Sequence, residues 1–245
     1  MPRKKMRLDK LLVERGLVRS RQRAQALVME GKVKVNHQRI TKSGTQIDAS
    51  AYLEITEKDS PFVSRGGLKL QHALEYFHIS VDGLIAMDVG ASTGGFTDCL
   101  LQKGAKKVYA IDVGYGQLDW KLRNNSRVIV LEKENIRYLS PHKITDPIDI
   151  AVIDVSFISL KLVIPVVRDF LVTGGQLVAL IKPQFEVGKG KVGKGGVVKD
   201  PEEHSRVIGE ISSFVEKLGC HIKGLVESPI LGPKGNKEFF LYATT

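Results

Sequence analysis

The chain has 245 residues, of which 42% are hydrophobic and 26% are charged, a composition typical of a globular protein with enough apolar residues for a core. Its two cysteines, Cys99 and Cys220, exclude a disulfide framework and show no metal-ligand spacing, so we expect a reduced compartment and no bound metal. The charged N-terminus lacks the apolar segment of a signal peptide, and no apolar run approaches the roughly 20 residues of a membrane helix. We therefore expect a cytoplasmic protein that does not bind membranes.

The positive charge is concentrated at the start of the chain. Residues 1–45 hold 13 basic and 3 acidic residues, whereas the remaining 200 hold 24 of each, so the net charge of +10 lies in the first fifth of the sequence. Such asymmetry predicts that one module binds a polyanion while the rest of the chain has a different function. The alternative is a basic face that is merely solvated.

The first elements in chain order are two short helices. The spacing of Leu8, Leu11 and Leu12 predicts a helix over Arg7–Arg15, which ends at Gly16. Ser20 is a typical N-cap for a second helix, RQRAQALVMEG, which ends in a glycine. The arginines at the start of this helix oppose its dipole, so we expect them to be placed for an anionic ligand.

Short strands follow these helices. The sequence KVKVN alternates as a strand does, His37 and Gln38 are predicted to form a turn, and a second strand pair is expected within Arg39–Ile55, with TKSGTQID as a turn-rich interior. This unit resembles the alpha-L RNA-binding module of ribosomal proteins and RNA-modifying enzymes. The resemblance implies that six residues face RNA: Arg7, Ser20, Arg21, Arg23, Lys32 and Lys34.

The pattern changes after a polar, proline-containing stretch. We predict an RNA-binding domain at 1–56, a linker at 57–63 and a second domain at 64–245. In the second domain, seven apolar, strand-length runs alternate with helical stretches, which predicts an α/β fold with a mainly parallel sheet. The last two runs lack a helix between them and are expected to pair antiparallel at an edge. Seven strands ending in such a hairpin resemble the Rossmann-like methyltransferase fold.

The loop after the first of these strands, DVGASTGGFT, discriminates between cofactors. A nucleotide-triphosphate loop needs a lysine where Phe96 stands. A dinucleotide loop needs a glycine where Ser92 stands, because a side chain there blocks the pyrophosphate. An acidic residue followed by G-x-x-x-G fits S-adenosyl-L-methionine (AdoMet), which needs close backbone approach but no pyrophosphate pocket. The predicted cofactor-binding residues of this loop are Asp88, Gly90, Ala91, Ser92, Thr93, Gly94, Gly95 and Phe96.

Two further polar residues fit the same cofactor. Asp112 ends the next strand, 24 residues after Asp88, where a carboxylate can accept both ribose hydroxyls. Asn135 follows the third strand and is placed to hydrogen-bond an adenine edge. Each residue, taken alone, also fits an ordinary turn or capping role.

Four charged residues form the candidate catalytic set. Lys69 lies in the helix before the first strand, Asp154 and Lys182 end the fourth and fifth strands, and Glu238 opens the last strand. Ligands of open parallel sheets bind beyond the carboxyl ends of the strands, so we expect Asp154 and Lys182 to meet there. The alternative is that these residues form purely structural ion pairs.

These positions resemble the Lys-Asp-Lys-Glu set of the FtsJ-type ribose methyltransferases. The whole chain resembles the TlyA (haemolysin A-like) ribosomal RNA methyltransferases through the motifs VSRGGLKL, DVGASTGGFTDCLL, VIDVSFISL, IKPQFE and NKEFF. The resemblance implies methylation of a cytidine 2'-hydroxyl in ribosomal RNA, with the ribosomal subunit as partner. Some relatives continue beyond the position of Thr245, which favours a large-subunit substrate; the oligomeric state is not readable from the sequence.

The chemistry suits these residue types. A ribose hydroxyl is a very weak acid, and an amine can take its proton only while the amine is neutral, as a desolvated lysine beside another cation can be. Our hypothesis is that Lys182 is the base or the hydroxyl-orienting group, with Lys69 as its electrostatic neighbour. Asp154 and Glu238 would orient both lysines.

A glycine- and lysine-rich tract follows the Lys182 strand. Residues 188–199, GKGKVGKGGVVK, hold five glycines and four lysines, a composition that we expect not to pack a core but to move and to neutralise phosphate. The tract predicts a mobile lid over RNA with contacts from Lys189, Lys191 and Lys194. The alternative is a surface loop without a role.

Three rival functions stay open at this point. A cytolysin would need a secretion route or a membrane-inserting segment. A ribosome-assembly factor would use the same domains only to bind. A base methyltransferase would show an N/D-P-P-[YF] motif or a catalytic cysteine, whereas the fourth strand here gives DVSF.

Overall fold

The structure is a computed structural model, and it describes residues 5–18, 20–29, 31–55, 61–188, 192–193 and 195–245. The chain divides into two compact units, Met1–Asp59 and Ser60–Thr245. This division falls inside the predicted linker, 57–63, of which residues 57–60 lie outside the described ranges. The domain boundaries themselves stay a prediction.

The first unit is built from two helices and two small sheets. Its elements are β1 (Lys5–Arg7), α1 (Leu8–Glu14), α2 (Arg21–Met29), β2 (Val33–Val35), β3 (Gln38–Ile40), β4 (Gln46–Asp48) and β5 (Leu53–Ile55). Strand β2 pairs antiparallel with β3 and β5, and β1 pairs antiparallel with β4. The core holds Leu8, Leu12, Leu27 and Val33, so the apolar stripes of both helices are buried as predicted.

Several expectations for this unit are wrong in detail. Arg7 lies in β1, and the helix begins one residue later. The turn after β2 is formed by Asn36 and His37, both with positive φ, while Gln38 already belongs to β3. The strands within 39–55 pair with β1 and β2 rather than with each other, and the interior predicted to be turns contains β4. Strands of three residues are too short to show an alternating pattern.

The second unit is an α/β fold, as predicted. Its strands are β6 (Ile85–Val89), β7 (Lys107–Asp112), β8 (Val128–Glu132), β9 (Ile148–Ile153), β10 (Leu171–Ile181), β11 (His221–Glu227) and β12 (Phe239–Thr244). Its helices are α3 (Gly66–Tyr76), α4 (Gly95–Gln102), α5 (Trp120–Arg123), α6 (Leu160–Phe170), α7 (Pro183–Glu186) and α8 (Pro201–Lys217). All seven predicted strands are confirmed. The short α7 was not predicted, and α5 is shorter than its predicted stretch.

The seven strands form one sheet in the order β11-β12-β10-β9-β6-β7-β8. Strands β10, β9, β6, β7 and β8 run parallel, whereas β12 is antiparallel to both β10 and β11. The predicted terminal hairpin is thus confirmed, with β11 at the edge. In chain order the parallel sheet begins with β6, continues with β7 and β8 on one side of β6, and then adds β9 on the other side of β6. The loops after β6 and β9 therefore diverge and leave a crevice at this switch point.

Helices cover the sheet on both faces. One core contains Val163 and Val167 of α6 with Ile211 of α8, and the other contains Leu70 of α3 with Leu100 of α4. The central strands are buried on both sides, which explains their continuous apolar runs. In the described part of the chain, no helix is long and apolar enough to cross a membrane.

Candidate active site

The glycine loop after β6 is a backbone turn that side chains would obstruct. Gly90 and Gly94 have φ of +89° and +93°, and Ser92 between them has φ of +50°. A Cβ on Gly90 would lie 2.4 Å from the backbone oxygen of Asp154, and a Cβ on Gly94 would lie 2.2 Å from a methyl group of Leu122. Glycine is therefore required by both conformation and space at these two positions.

The loop leads directly into a helix whose start is equally crowded. Helix α4 begins at Gly95, where a Cβ would lie 2.2 Å from the hydroxyl of Ser64 and 2.9 Å from the amide nitrogen of Gly67. The N-terminal segment of α3 thus packs directly on the glycine loop. The first amide groups of α4 have no carbonyl partner within the helix, and the amide of Thr97 bonds to the carboxyl group of Asp88.

Asp88 lies beneath the loop rather than on its surface. It is fully buried, and its Oδ2 accepts a hydrogen bond of 2.6 Å from the hydroxyl of Thr97. Its Oδ1 has no hydrogen-bond partner among the described residues. Burial raises the pKa of Asp88 to about 7, against the opposing effect of the Thr97 hydrogen bonds. Asp88 thus supports the first turn of α4 from below.

Asp112 is fixed by two backbone amides. Its Oδ2 accepts from the amide of Ser92 at 2.7 Å, and its Oδ1 accepts from the amide of Gly114 at 2.6 Å. These bonds orient the carboxylate beside the glycine loop and leave each oxygen a second lone pair for another donor. Asn135 caps a 3₁₀ turn, with its Oδ1 accepting from the amide of Arg137 at 3.1 Å.

A cleft of about 330 Å³ joins the glycine loop to the candidate catalytic set. Its lining residues come from five segments of the second unit: Ser64, Arg65, Gly66, Lys69, Gly90, Ala91, Ser92, Thr93, Gly95, Phe96, Asp154, Lys182, Leu231, Gly232 and Glu238. The structure therefore brings together all four residues of the set. Of the predicted cofactor-binding residues, Asp88, Gly94, Asp112 and Asn135 are not among those that line the cleft.

The four charged residues form two ion pairs. Lys69 donates to Glu238 across 2.6 Å, and the side chains of this pair are 11% and 0% exposed. Lys182 lies 2.5 Å from Oδ1 of Asp154, and it donates to the hydroxyl of Ser156 at 3.0 Å. Each lysine is thus paired with its own carboxylate within the same cleft. The hypothesis that Lys69 is the electrostatic neighbour of Lys182, with Asp154 and Glu238 orienting both lysines, stays a prediction.

Comparison with known proteins agrees with this geometry. The FtsJ-like methyltransferase family matches residues 62–245, and the S4 domain matches residues 6–51. The chain belongs to the FtsJ-like methyltransferase family and carries an N-terminal S4 domain. The predicted resemblance to this family is confirmed, as is the prediction of an enzyme that uses S-adenosyl-L-methionine.

The similarity to individual relatives extends over nearly the whole chain. A candidate rRNA methyltransferase of Bacillus subtilis, YqxC, is 51% identical over 245 residues, covering 99% of this chain and 86% of the relative. The 16S/23S rRNA (cytidine-2'-O)-methyltransferase TlyA of Mycobacterium tuberculosis is 47% identical over 243 residues, covering 99% of this chain and 91% of the relative. The structure of a candidate hemolysin from Streptococcus thermophilus is 45% identical, with a TM-score of 0.78, covering 98% of this chain and 88% of that one.

The cleft of this FtsJ-like methyltransferase fits its methyl donor. Gly90 and Gly95 contribute to the wall of the cleft, and Asp112, which the amide of Ser92 orients beside the glycine loop, is an acceptor that suits a ribose. No lysine or arginine of the glycine loop is available for a polyphosphate, in accord with the chemistry of an uncharged adenosine and an amino acid. The volume is at the lower end of the range for small-molecule sites.

Some residues of the site were not predicted from the sequence. Ser64 and Arg65 line the cleft just before α3, and Leu231 and Gly232 line it from the loop before β12. Ser156, two residues after Asp154, contacts Lys182. Ser64, Arg65 and Ser156 fall inside the motifs VSRGGLKL and VIDVSFISL. Leu231 and Gly232 gave no such signal, because neither residue is charged and the loop has no periodicity.

The last part of the glycine- and lysine-rich tract is anchored in the methyltransferase unit. Val198 is buried, its amide donates to Oδ1 of Asn236 at 3.0 Å, and its carbonyl oxygen contacts the ring of His204 at 2.9 Å. The expectation that this tract does not pack in a core is thus wrong for Val198, because Asn236 satisfies the backbone beside it. The predicted contacts of Lys189, Lys191 and Lys194 lie outside the described residues.

In the S4 domain, the predicted RNA-facing residues are mostly engaged with the protein. Ser20 caps α2 by accepting from the amide of Arg23 at 3.2 Å. Lys34 lies 3.3 Å from Glu54 across the sheet. Arg7 and Arg21 both contact Asp9, a carboxylate that the sequence interpretation did not single out. Lys32 is partly exposed.

Proposed function

We propose that this methyltransferase transfers the methyl group of S-adenosyl-L-methionine to the 2'-hydroxyl of a cytidine in ribosomal RNA. The observation that carries the proposal is the single cleft in which Lys182 and its partner Asp154 meet the glycine loop. The printed name of the Mycobacterium tuberculosis relative, a 16S/23S rRNA (cytidine-2'-O)-methyltransferase, supports the same substrate. The S4 domain supplies the basic surface for RNA, and we place the enzyme in the cytoplasm with the ribosomal subunits.

When bound, the donor supplies an electrophilic methyl group on a sulfonium. Gly90 and Gly95 would hold it with their backbone, and Asp112 would accept from its ribose. Lys182 would contact the 2'-hydroxyl and orient it. To take the hydroxyl proton, the Lys182 ammonium would first pass a proton of its own to Asp154 or to water, and the neutral amine would then accept the proton released by the hydroxyl. Asp154 and Ser156 hold the Lys182 nitrogen in position, and the Lys69–Glu238 pair lines the same cleft.

Two substitutions of one residue test this assignment. Lys182→Ala is expected to bind the donor as the wild type does, by calorimetry, and to lose methyl transfer by about 10²–10⁴-fold, as general acid–base groups do. Lys182→Arg keeps a permanent positive charge that cannot be removed. If Lys182 accepts the proton, the arginine variant is as inactive as the alanine variant; if it only orients the hydroxyl, the arginine variant retains part of the rate.

A surface lysine provides the control. Lys161 pairs with Glu210 on the outside of the unit and is 39% exposed, so Lys161→Ala should transfer methyl groups at the wild-type rate. Wild-type transfer by the Lys182→Ala protein would contradict the proposal. Transfer of label to a nucleobase rather than to ribose would contradict its substrate.

A further inference from the structure

One carboxylate in the S4 domain has an unusual number of donors. Asp9 is fully buried in α1, although it stands in the most basic part of the chain. Its Oδ1 accepts from Nε of Arg7 at 3.0 Å and from the amide of Lys10 at 2.9 Å. Its Oδ2 accepts from Nη2 of Arg7 at 2.9 Å, from Nε of Arg21 at 3.0 Å and from the side-chain Nε2 of Gln25 at 2.9 Å. These bonds use all the acceptor capacity of a carboxylate.

The cluster joins three separate elements. Arg7 ends β1, Asp9 lies in the first turn of α1, and Arg21 opens α2. The hydrogen bonds of Arg7 hold the pKa of Asp9 well below its usual range, despite its burial. Asp9 is therefore charged at neutral pH and counterbalances two guanidinium groups that would otherwise repel each other.

Asp9 holds the guanidinium groups of both arginines, while both side chains stay partly exposed to solvent. Their side chains are 38% and 50% exposed, while Asp9 is 0% exposed. Arg21 uses Nε for Asp9, so its two Nη groups are not needed for this bond and keep the planar pair of donors that suits a phosphate. Holding Nε fixes the plane of the guanidinium before any ligand arrives, which lowers the ordering cost of binding.

We infer that Asp9 is a positioning residue, which presents Arg7 and Arg21 as a preorganised pair for the phosphates of structured RNA. The inference rests on the proposed function, because it assumes that the S4 domain meets RNA. For the removal of the Asp9 charge, the inference predicts a change in RNA affinity opposite in sign to the change expected from net charge alone. Removal of a negative charge from a basic surface ordinarily strengthens binding to a polyanion, whereas removal of this one weakens it.

A matched pair of substitutions on one helix gives the test. In the full-length chain, Arg21→Lys keeps the charge but loses the Nε bond to Asp9, while Arg23→Lys makes the same exchange two residues away. Arg23 is also predicted to face RNA, but in the described part of the chain it makes no bond to Asp9. With a transcribed RNA stem-loop as the probe, Arg21→Lys should bind about tenfold more weakly than the wild type, and Arg23→Lys only about two- to threefold more weakly. Equal effects of the two substitutions would overturn the inference.

A second pair of substitutions tests the sign of the change in RNA affinity. Asp9→Asn and Glu14→Gln each remove one negative charge from α1, and Glu14 is exposed. The inference predicts weaker RNA binding for Asp9→Asn and equal or tighter binding for Glu14→Gln. If both variants bind equally tightly or more tightly than the wild type, net charge alone explains the affinity and the inference is wrong.

A measurement on the wild-type chain does not depend on whether a variant folds. The Nε–H signals of Arg7 and Arg21 should be sharp and slow to exchange by NMR at neutral pH in the absence of RNA, in contrast to solvated arginines. Rapid exchange of both would overturn the inference. A wild-type chain with ordered arginines that binds no RNA would instead contradict the proposed function, so the two failures are distinguishable.

Discussion

The two units of this protein place their ion pairs in opposite ways. In the S4 domain, Asp9 is buried and its arginine partners reach the surface, where the excess positive charge of the chain lies. In the methyltransferase unit, where basic and acidic residues nearly balance, both partners of the Lys69–Glu238 pair are nearly inaccessible. The comparison shows that a buried carboxylate can hold cations at the surface, as Asp9 does, or inside a cleft, as Glu238 does. On the functions proposed above, the first arrangement serves a polyanion and the second serves chemistry. The first arrangement is sensitive to salt and the second is not.

The largest expected effect concerns the buried pair. Glu238→Ala leaves the Lys69 ammonium buried without its partner, which should lower the free energy of unfolding by about 3–5 kcal/mol. Glu227→Ala is the matched control, because Glu227 pairs with Lys237 where both side chains are at least 45% exposed, and it should cost less than about 1 kcal/mol. Chemical denaturation of the two variants measures the difference. Equal losses would show that burial does not distinguish the two pairs.

The next effect tests the glycine loop. Gly90→Ala places a Cβ 2.4 Å from the backbone oxygen of Asp154, at a φ of +89°. The loop must shift, so donor affinity should fall about 100-fold, equivalent to about 3 kcal/mol. Gly116→Ala, at φ +69° but with no atom near the added Cβ, is the control for the conformational cost alone. Calorimetric titration with S-adenosyl-L-methionine measures the donor affinity of both variants. Equal affinities would show that the glycine loop does not contact the donor.

A smaller effect follows from the acid beneath the loop. The pKa of Asp88 is raised to about 7, above its unfolded value near 4, so the folded protein binds the extra proton between these pH values. The contribution of Asp88 to stability is therefore greatest at low pH and is lost as the pH rises from about 4 to about 7. Relative to Asp88→Asn, the wild type should lose about 2–4 kcal/mol across this window without donor. If the melting temperatures of the wild type and Asp88→Asn differed by a constant amount across this pH window, the result would contradict the burial of a neutral carboxyl group at Asp88.

The smallest expected effect is a difference in salt dependence between RNA binding and donor binding. RNA binding should weaken about tenfold or more between about 50 and 200 mM salt, because phosphate contacts release counterions. Donor binding in the cleft should change little over the same range, since its charges are paired and sheltered. Filter binding with an RNA stem-loop and calorimetry with the donor give the two slopes. Parallel slopes would indicate that one surface serves both ligands.

The sequence was sufficient for the architecture of the larger unit. Its strands are continuous apolar runs because the sheet is covered on both faces, and Asp154 and Lys182 could be predicted to meet because they follow neighbouring parallel strands. Phe96 excluded a nucleotide-triphosphate loop because it lacks the ammonium group of the required lysine, and Ser92 excluded a dinucleotide loop because its side chain blocks the pyrophosphate. The motifs also identified the family correctly.

The remaining features depend on contacts that local patterns do not encode. Lys69 and Glu238 are 169 residues apart in sequence, so their direct bond could not be predicted. The pairing of β1 with β4 involves three residues on each side, too few to show a period. Asp9 was overlooked because one acidic residue among many basic ones resembles a solvated charge until its burial is known.

The most direct test of the central claim is nucleoside mass spectrometry of ribosomal RNA incubated with the purified chain and isotopically labelled S-adenosyl-L-methionine. The account predicts labelled 2'-O-methylcytidine with the wild type and none with Lys182→Ala. Label on a base, label that persists with Lys182→Ala, or no label in RNA from free or assembled subunits would contradict it.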